Sequence, residues 1–261
     1  LDSIEEAVSE AMVCQPFVRT IFFLTLFIPS TILISLSVLL LGLFPGTEPW
    51  LQRLEVWWAQ IAVFASGMEI QADIAALDSQ SAYIFVANHQ SHLDIPLILS
   101  LFPQYFPRAL AKESLFRIPI FGPGMRRTGH LPIDRENRRR GLQHIHAAAQ
   151  KAQEGVSILI FPEGSRNIDT ERLQEFQVGA FIIALLSGVP IVPIVLDGTN
   201  AILPKGSWRV QKGVVRVRGL KPLSQSERYT LKDREQLKKD VSGMMEKTYS
   251  ELHSWREKQI I

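Results

Sequence analysis

YIFVANHQSHLDIP, residues 83 to 96, begins as an apolar run and ends in a polar tail containing Asn88, His89, Ser91, His92 and Asp94. A short apolar run before such a tail reads as a strand buried on both faces, the kind found in parallel sheets. In open α/β folds the carboxyl ends of strands are where ligands sit. His89 and Asp94 are five apart, about 500° around a continuous helix, so two helical residues at that spacing point about 140° apart. They can meet only if a helix starts between them. Ser91 and Asp94 have capping-box spacing, which predicts a helix start at Ser91 and leaves His89 on the loop, free to fold back. A cap alone accounts for Asp94 but not for His89. Metal binding is a second reading, because His89, His92 and Asp94 supply three ligands within six residues, although no further cluster of ligand spacing follows. A His-Asp pair without a nearby nucleophile suits a general base acting on a substrate hydroxyl. The Gly-x-Ser-x-Gly elbow of serine hydrolases does not occur.

From about residue 69 onward, β-rich runs alternate with helical stretches. This predicts an α/β domain with a mixed, largely parallel sheet flanked by helices. The expected strands are 82–87, 108–111, 129–133, 157–161, 191–196 and 214–220, and the expected helices 92–101, 114–126, 136–153, 177–187 and 230–258. SILIFPEGSRN, residues 157 to 167, is a strand leading into Glu163, Gly164, Ser165 and Arg166. Taken alone it is a turn with an exposed arginine. As a second strand end beside His89 it delivers a guanidinium able to fork onto a phosphate.

No charged residue lies between Arg19 and Glu48, and IFFLTLFIPSTILISLSVLLLGLF is long enough to cross a ~30 Å hydrocarbon core. The acidic start (Asp2, Glu5, Glu6, Glu10) argues against a cleaved signal peptide, which begins basic. Pro29 interrupts the run, and Pro45, Gly46 and Pro49 end it. WLQRLEVWWAQIAVFASGM follows, with Trp50, Trp57 and Trp58 suited to headgroup depth. The pair predicts either a hairpin dipping into one leaflet or one span followed by an interfacial helix. Membrane-anchoring helices are thus expected over residues 1–68 and an α/β domain over 69–261.

The chain has 261 residues, 46% of them apolar and 21% charged, which excludes disorder and allows a full core. Its single cysteine, Cys14, excludes an internal disulfide and a cysteine-based zinc site. Residues 108–140 carry nine basic groups against three acidic ones, an excess of six, whereas residues 1–107 carry two against ten. Such a local excess points to a polyanion, a membrane surface or a phosphorylated substrate.

Together these segments resemble the glycerophospholipid acyltransferase family, most closely the lysophosphatidic acid (1-acyl-glycerol-3-phosphate) acyltransferases. Four blocks match in order over roughly residues 70 to 220: Asn88 with His89 and Asp94; Lys112, Leu115, Gly122 and Arg135; Phe161 to Arg166; and VPIVPI, Val189 to Ile194. The resemblance implies transfer of a fatty acyl group from acyl-CoA or acyl carrier protein to the sn-2 hydroxyl of lysophosphatidic acid, giving phosphatidic acid. It implies His89 as the base, Asp94 as its orienting partner, and Lys112, Arg135 and Arg166 around the acceptor phosphate. Glu163, Gly164 and Ser165 shape that pocket. No cofactor beyond the thioester donor is implied. The expected partners are membrane lipids and the acyl carrier, not nucleic acid, and a bacterial chain is expected at the cytoplasmic face of the inner membrane. Gln177 stands where the family commonly has lysine, which leaves the acceptor headgroup open. Two other readings remain: a membrane-bound thioesterase or phosphatase using the same pair on water, and a lipid-binding module without turnover.

Overall fold

The computed structural model describes residues 2–225 and 228–260, with side chains for 16–225 and 228–254. The side chains of Asp2, Glu5, Glu6, Glu10 and Cys14 lie outside the described residues. The elements run α1 (Asp2–Leu41), α2 (Glu48–Ser66), β1 (Met68–Ile74), β2 (Ile84–Ala87), α3 (Asp94–Leu101), β3 (Arg108–Lys112), α4 (Phe121–Arg127), β4 (Leu131–Ile133), α5 (Arg138–Gln153), β5 (Ile158–Ile160), α6 (Gly179–Ser187), β6 (Ile191–Asp197), α7 (Thr199–Ile202), β7 (Gly213–Gly219) and α8 (Arg234–Ile260).

The seven strands form one sheet in the order β1-β7-β6-β2-β5-β3-β4. From β6 to β4 the neighbours are parallel; β7 is antiparallel to β6 and parallel to β1. The sheet is therefore mixed and largely parallel, with helices on both faces. Every residue of β2 and β6 is buried, as expected of strands covered on both sides. Alternation sorts them: Phe85 and Ala87 join one core with Leu97, Phe102 and Val192, while Ile84 and Val86 join the other with Phe181, Val241 and Tyr249.

The α1–α2 hairpin forms part of the first core, where Phe23 and Ala65 are 2% and 1% exposed. Pro29 does not interrupt α1, which runs through it unbroken. One lost backbone hydrogen bond is outweighed by packing along the helix, and neighbouring hydroxyls of Ser30 and Thr31 bond back to the Phe27 carbonyl. The 26 residues Pro16–Leu41 are apolar and long enough to cross a membrane. Yet this apolar stretch is fastened to the domain near both of its ends: Val210 N donates to Thr20 Oγ1 at 2.9 Å, and Arg127 donates to the Gly42 carbonyl. These points are about 33 Å apart along the helix. The hairpin thus lies alongside the domain with its outer face apolar: Phe17, Ile21, Ile32, Leu33, Leu40, Trp57 and Phe64 are exposed. Trp58 departs from the headgroup expectation, because its Nε1 donates inward to Thr31 Oγ1 at 2.9 Å.

The single helix expected over 114–126 is two pieces, a 3₁₀ turn at Glu113–Arg117 and α4. Pro119 cannot donate and drives Ile118 extended (φ −64°, ψ 126°), and Ile120 then takes φ +65° to re-enter a helix. Gly122 is required at this fold-back, since any Cβ there would collide with the Phe116 carbonyl.

Candidate active site

Four neighbouring parallel strands, β2, β5, β3 and β4, deliver His89, Glu163 to Arg166, Lys112 and Arg135 at their carboxyl ends. Adjacent strands lie about 4.8 Å apart, so the row spans about 14 Å along one sheet edge.

β2 ends by substituting a side chain for backbone. The Asn88 amide donates to Leu196 O at 2.8 Å and accepts from Leu196 N at 2.7 Å, continuing the ladder to β6 while the main chain turns away. His89 follows on the loop and folds back over the start of α3. Its Nδ1 is 2.7 Å from Asp94 Oδ2, which also accepts from Gln90 N at 2.6 Å and Ser91 N at 2.8 Å. Three N–H groups converging on one oxygen of a fully buried carboxylate hold it rigidly, and they assign the Nδ1–H tautomer to His89, leaving Nε2 as the basic nitrogen. The His89 ring stacks on Phe161, centroids 4.1 Å apart.

The helix start is one turn later than the capping-box spacing predicts. α3 begins at Asp94 and no side chain caps it; Ser91 Oγ accepts from Leu93 N and donates to Leu203 O. Only the Asp94 half of the box forms, because the serine hydroxyl is drawn to α7's end. The amides of Gln90 and Ser91 both point at Asp94.

The loop after β5 is bound to the histidine loop in both directions. His89 N donates to Glu163 Oε1 at 2.9 Å, and Asn167 N donates to His89 O at 2.6 Å. Gly164 has φ +72°, and Gln177 packs against it, with Cγ 3.7 Å from where a Cβ would stand. Ser165 is exposed and bonds Gln174. Burial pushes the Glu163 carboxyl up to about 8, although the N–H from His89 pulls the other way. Burial, then the nearby Arg166 and His89, hold His92 down at about 4. At neutral pH both flanking groups are therefore uncharged beside His89.

The Glu163 shift has a sign that stability measurements can read. A carboxyl whose folded pKa lies above its unfolded value leaves the folded chain with more bound protons over that interval, so stability falls as pH rises from about 5 to about 8. Glu163→Gln is expected to flatten that slope. Thermal melts in detergent at the two pH values check it, the wild-type Tm falling further than the variant's.

Lys112 and Arg135 are brought together in a cleft of about 700 Å³, whose lining also includes Arg117, Arg138, Arg139 and Arg140. Lys112 is exposed and 3.6 Å from Glu136. Arg140 is held by Glu113 at 2.5 Å and Asp134 at 3.2 Å. The arginines that open α5 thus share the cleft with Lys112 and Arg135, which their place outside the matched blocks does not suggest. Arg166 sits apart, on the His89 side. Among the described residues no three His, Cys, Asp or Glu side chains gather as a metal would require.

One contributor has no local signal. Gln90, whose backbone holds Asp94, sends its Nε2 to Tyr249 Oη of α8 at 2.8 Å, and that hydroxyl donates to Thr170 O at 2.6 Å. The partners are 159 residues apart.

The family model described as Acyltransferase matches residues 69–197. A chloroplastic 1-acyl-sn-glycerol-3-phosphate acyltransferase of Brassica napus is 37% identical over 171 residues, 64% of this chain and 48% of its own. The chain spans about half or less of the first curated relatives it matches. It covers more of the enzyme of that name from Haemophilus influenzae: 32% identity over 188 residues, 71% of this chain and 76% of the relative. The crystal structure of the 1-acyl-sn-glycerophosphate acyltransferase of Thermotoga maritima has the same fold, with a TM-score of 0.77, 24% identity, and coverage of 92% of this chain and 97% of that one. The family domain covers all of the strand ends that carry His89, Lys112, Arg135 and Glu163, and with about three quarters of the length of a bacterial relative matched at 32% identity, the chain belongs to the 1-acyl-sn-glycerol-3-phosphate acyltransferase family.

Proposed function

We propose that this chain transfers a fatty acyl group from an acyl thioester, acyl-CoA or acyl carrier protein, to the sn-2 hydroxyl of lysophosphatidic acid, forming phosphatidic acid. The observation that carries the reading is the His89–Asp94 contact at 2.7 Å, with the tautomer that leaves Nε2 free. Nε2 takes the hydroxyl proton as the acceptor oxygen bonds to the thioester carbonyl carbon. The tetrahedral intermediate then collapses, the carbon–sulfur bond breaks, and the imidazolium returns the proton to the departing thiolate. Asp94 orients the ring and stabilises its charged form. No covalent acyl-enzyme forms and no cofactor takes part.

Arg166 beside His89 and the Lys112–Arg135 cleft act on the acceptor phosphate, with Glu163, Gly164 and Ser165 walling the pocket. The outer face of the hairpin rests in one leaflet, and attachment near both ends of the apolar stretch of α1 keeps that stretch alongside the domain. In a bacterial cell the reading sets the site at the cytoplasmic face of the inner membrane, and the need for a soluble thioester donor supports it.

The test uses the full chain in mixed micelles with labelled acyl-CoA. Thioester loss that requires lysophosphatidic acid supports transfer; equal loss without it means hydrolysis, and no loss means binding alone. Within that assay Arg166→Ala and Arg135→Ala are expected to lower kcat/KM by about 10 to 150-fold, the worth of a charge-assisted contact of ~1.5 to 3 kcal/mol. An acceptor without the phosphate monoester should show no such loss. Arg138→Ala and Arg139→Ala are expected to change salt-sensitive membrane binding instead. If those two abolish acceptor discrimination while Arg135→Ala and Arg166→Ala retain it, the phosphate assignment is wrong.

A further inference from the structure

Among the described residues outside the hairpin, only two large apolar side chains are more than half exposed: Ile168 at 73% and Trp208 at 68%. Both belong to segments tied to the catalytic loop. Ile168 follows Asn167, whose N–H is bonded to His89 O. Trp208 lies on the loop 203–212, which is fastened at one side by Ser91 Oγ to Leu203 O (2.8 Å) and by Lys205 Nζ to Arg166 O (2.9 Å). At the other side Val210 N is bonded to Thr20 Oγ1 of α1 (2.9 Å). The loop is therefore a bridge from the mouth of the site to the hairpin.

Between its attachments the bridge turns outward at Gly206 (φ +84°) and exposes Lys205, Trp208 and Arg209, with Lys212 exposed just beyond. It meets the hairpin at Thr20, one turn from Phe17, which is 66% exposed. The bridge thus joins the hairpin at Thr20 to Arg166, and its exposed tryptophan is flanked along the chain by cations. Asp169, the acidic neighbour of Ile168, is paired with Arg172. A tryptophan among lysines and arginines at the end of an apolar face matches the headgroup layer of an anionic leaflet, where indole sits at the interface and each cation gains from lipid phosphate.

We propose that the loop 203–212 and Ile168 form a second membrane contact, Trp208 and Ile168 entering the headgroup layer of an anionic bilayer while Lys205, Arg209 and Lys212 face its phosphates. The mouth of the His89 site is thereby held against the leaflet that carries the acceptor, and a lysolipid reaches Arg166 without crossing bulk water. The proposal rests on the reading of the hairpin as embedded in that leaflet, and its test separates the two.

The 261-residue chain with Cys14→Ser and either Trp208→Cys or Phe64→Cys, labelled with an environment-sensitive fluorophore, is reconstituted into phosphatidylcholine vesicles with and without phosphatidylglycerol. Brominated lipids are expected to quench both labels, the 208 label more strongly when phosphatidylglycerol is present. Quenching at 64 but not at 208 overturns the second contact and leaves the hairpin reading standing; quenching at neither overturns both. A label is itself apolar, so an unlabelled pair of variants gives an independent measure. Arg209→Ala with Lys212→Ala is expected to lower activity on anionic vesicles at low salt by about 25-fold, from about fivefold per cation. Trp208→Ala should lower it on neutral and anionic vesicles alike. Activity toward short-chain, water-soluble acceptor and donor is expected to stay unchanged in all of these. An equal loss on soluble and vesicle substrates would overturn the proposal, because it would mean that the bridge only supports the site's structure.

Discussion

His89→Ala is expected to lower kcat by at least about 100-fold, the lower bound of what a positioned general base contributes. Asp94→Asn should cost a comparable factor, for a different reason. An amide in place of the carboxylate can still accept at one atom, but it no longer presents a charged oxygen to the N–H groups of His89, Gln90 and Ser91, all three within 2.8 Å. The histidine then loses both its fixed tautomer and the stabilisation of its charged form. Single-turnover kinetics with saturating acyl-CoA and lysophosphatidic acid would read the chemical step directly. Retention of more than a tenth of wild-type turnover by His89→Ala would sink the mechanism, provided that its thermal unfolding matches wild type.

The second large effect concerns stability. Glu55 of α2 is buried, with Oε2 at 2.6 Å from Arg108 Nη1 and Oε1 at 2.6 Å from His130 Nε2. His130 in turn accepts from Ala109 N at 2.9 Å through Nδ1, so its Nε2 carries the hydrogen that faces Glu55. Glu55 and His130 border an apolar cavity of about 90 Å³ shared with Ile34, Trp58, Ile95 and Phe121. Removing one member of such a cluster strands a charge in a dry place. Arg108→Ala is therefore expected to cost about 3 to 5 kcal/mol of stability. Glu55→Ala combined with Arg108→Ala should cost less than the sum of the single changes, a coupling that denaturation in detergent can measure as a double-mutant cycle. Strict additivity would show that the pair contributes nothing as a pair.

Much of the central sheet and the His-Asp pair can be read from sequence because both are local. β2, β5 and β6 are uninterrupted apolar runs, and the fold-back of His89 onto Asp94 is decided within six residues. β1 could also have been read: MEIQADI alternates apolar with polar residues, and Met68, Ile70 and Ile74 are the ones that pack on the core. What local pattern does not specify is its place at the sheet edge, paired in parallel with a partner about 145 residues away. Glu55 reads as a lone charge on an apolar helix until Arg108 and His130 are brought to it. Gln90 and Tyr249 have the same difficulty: their bond depends on where α8 docks, which local spacing does not specify. The break near Pro119 could have been read, because proline restricts the residue before it as well as itself.

The double fastening of α1 bears on how such proteins can be rebuilt. The hairpin resembles an interchangeable anchor when read along the chain, but Phe23 and Ala65 belong to the catalytic core, and Glu55 belongs to a cluster whose other members lie in β3 and just before β4. A chimera that exchanges only residues 1–66 between relatives would pair a foreign helix with Arg108, His130 and Val210 and leave their partners to chance. The transferable cassette is discontinuous: the hairpin, the residues at 108 and 130, and the bridge at 203–212 travel together. A soluble derivative needs the same bookkeeping, with Arg108 and His130 made apolar when the hairpin is removed.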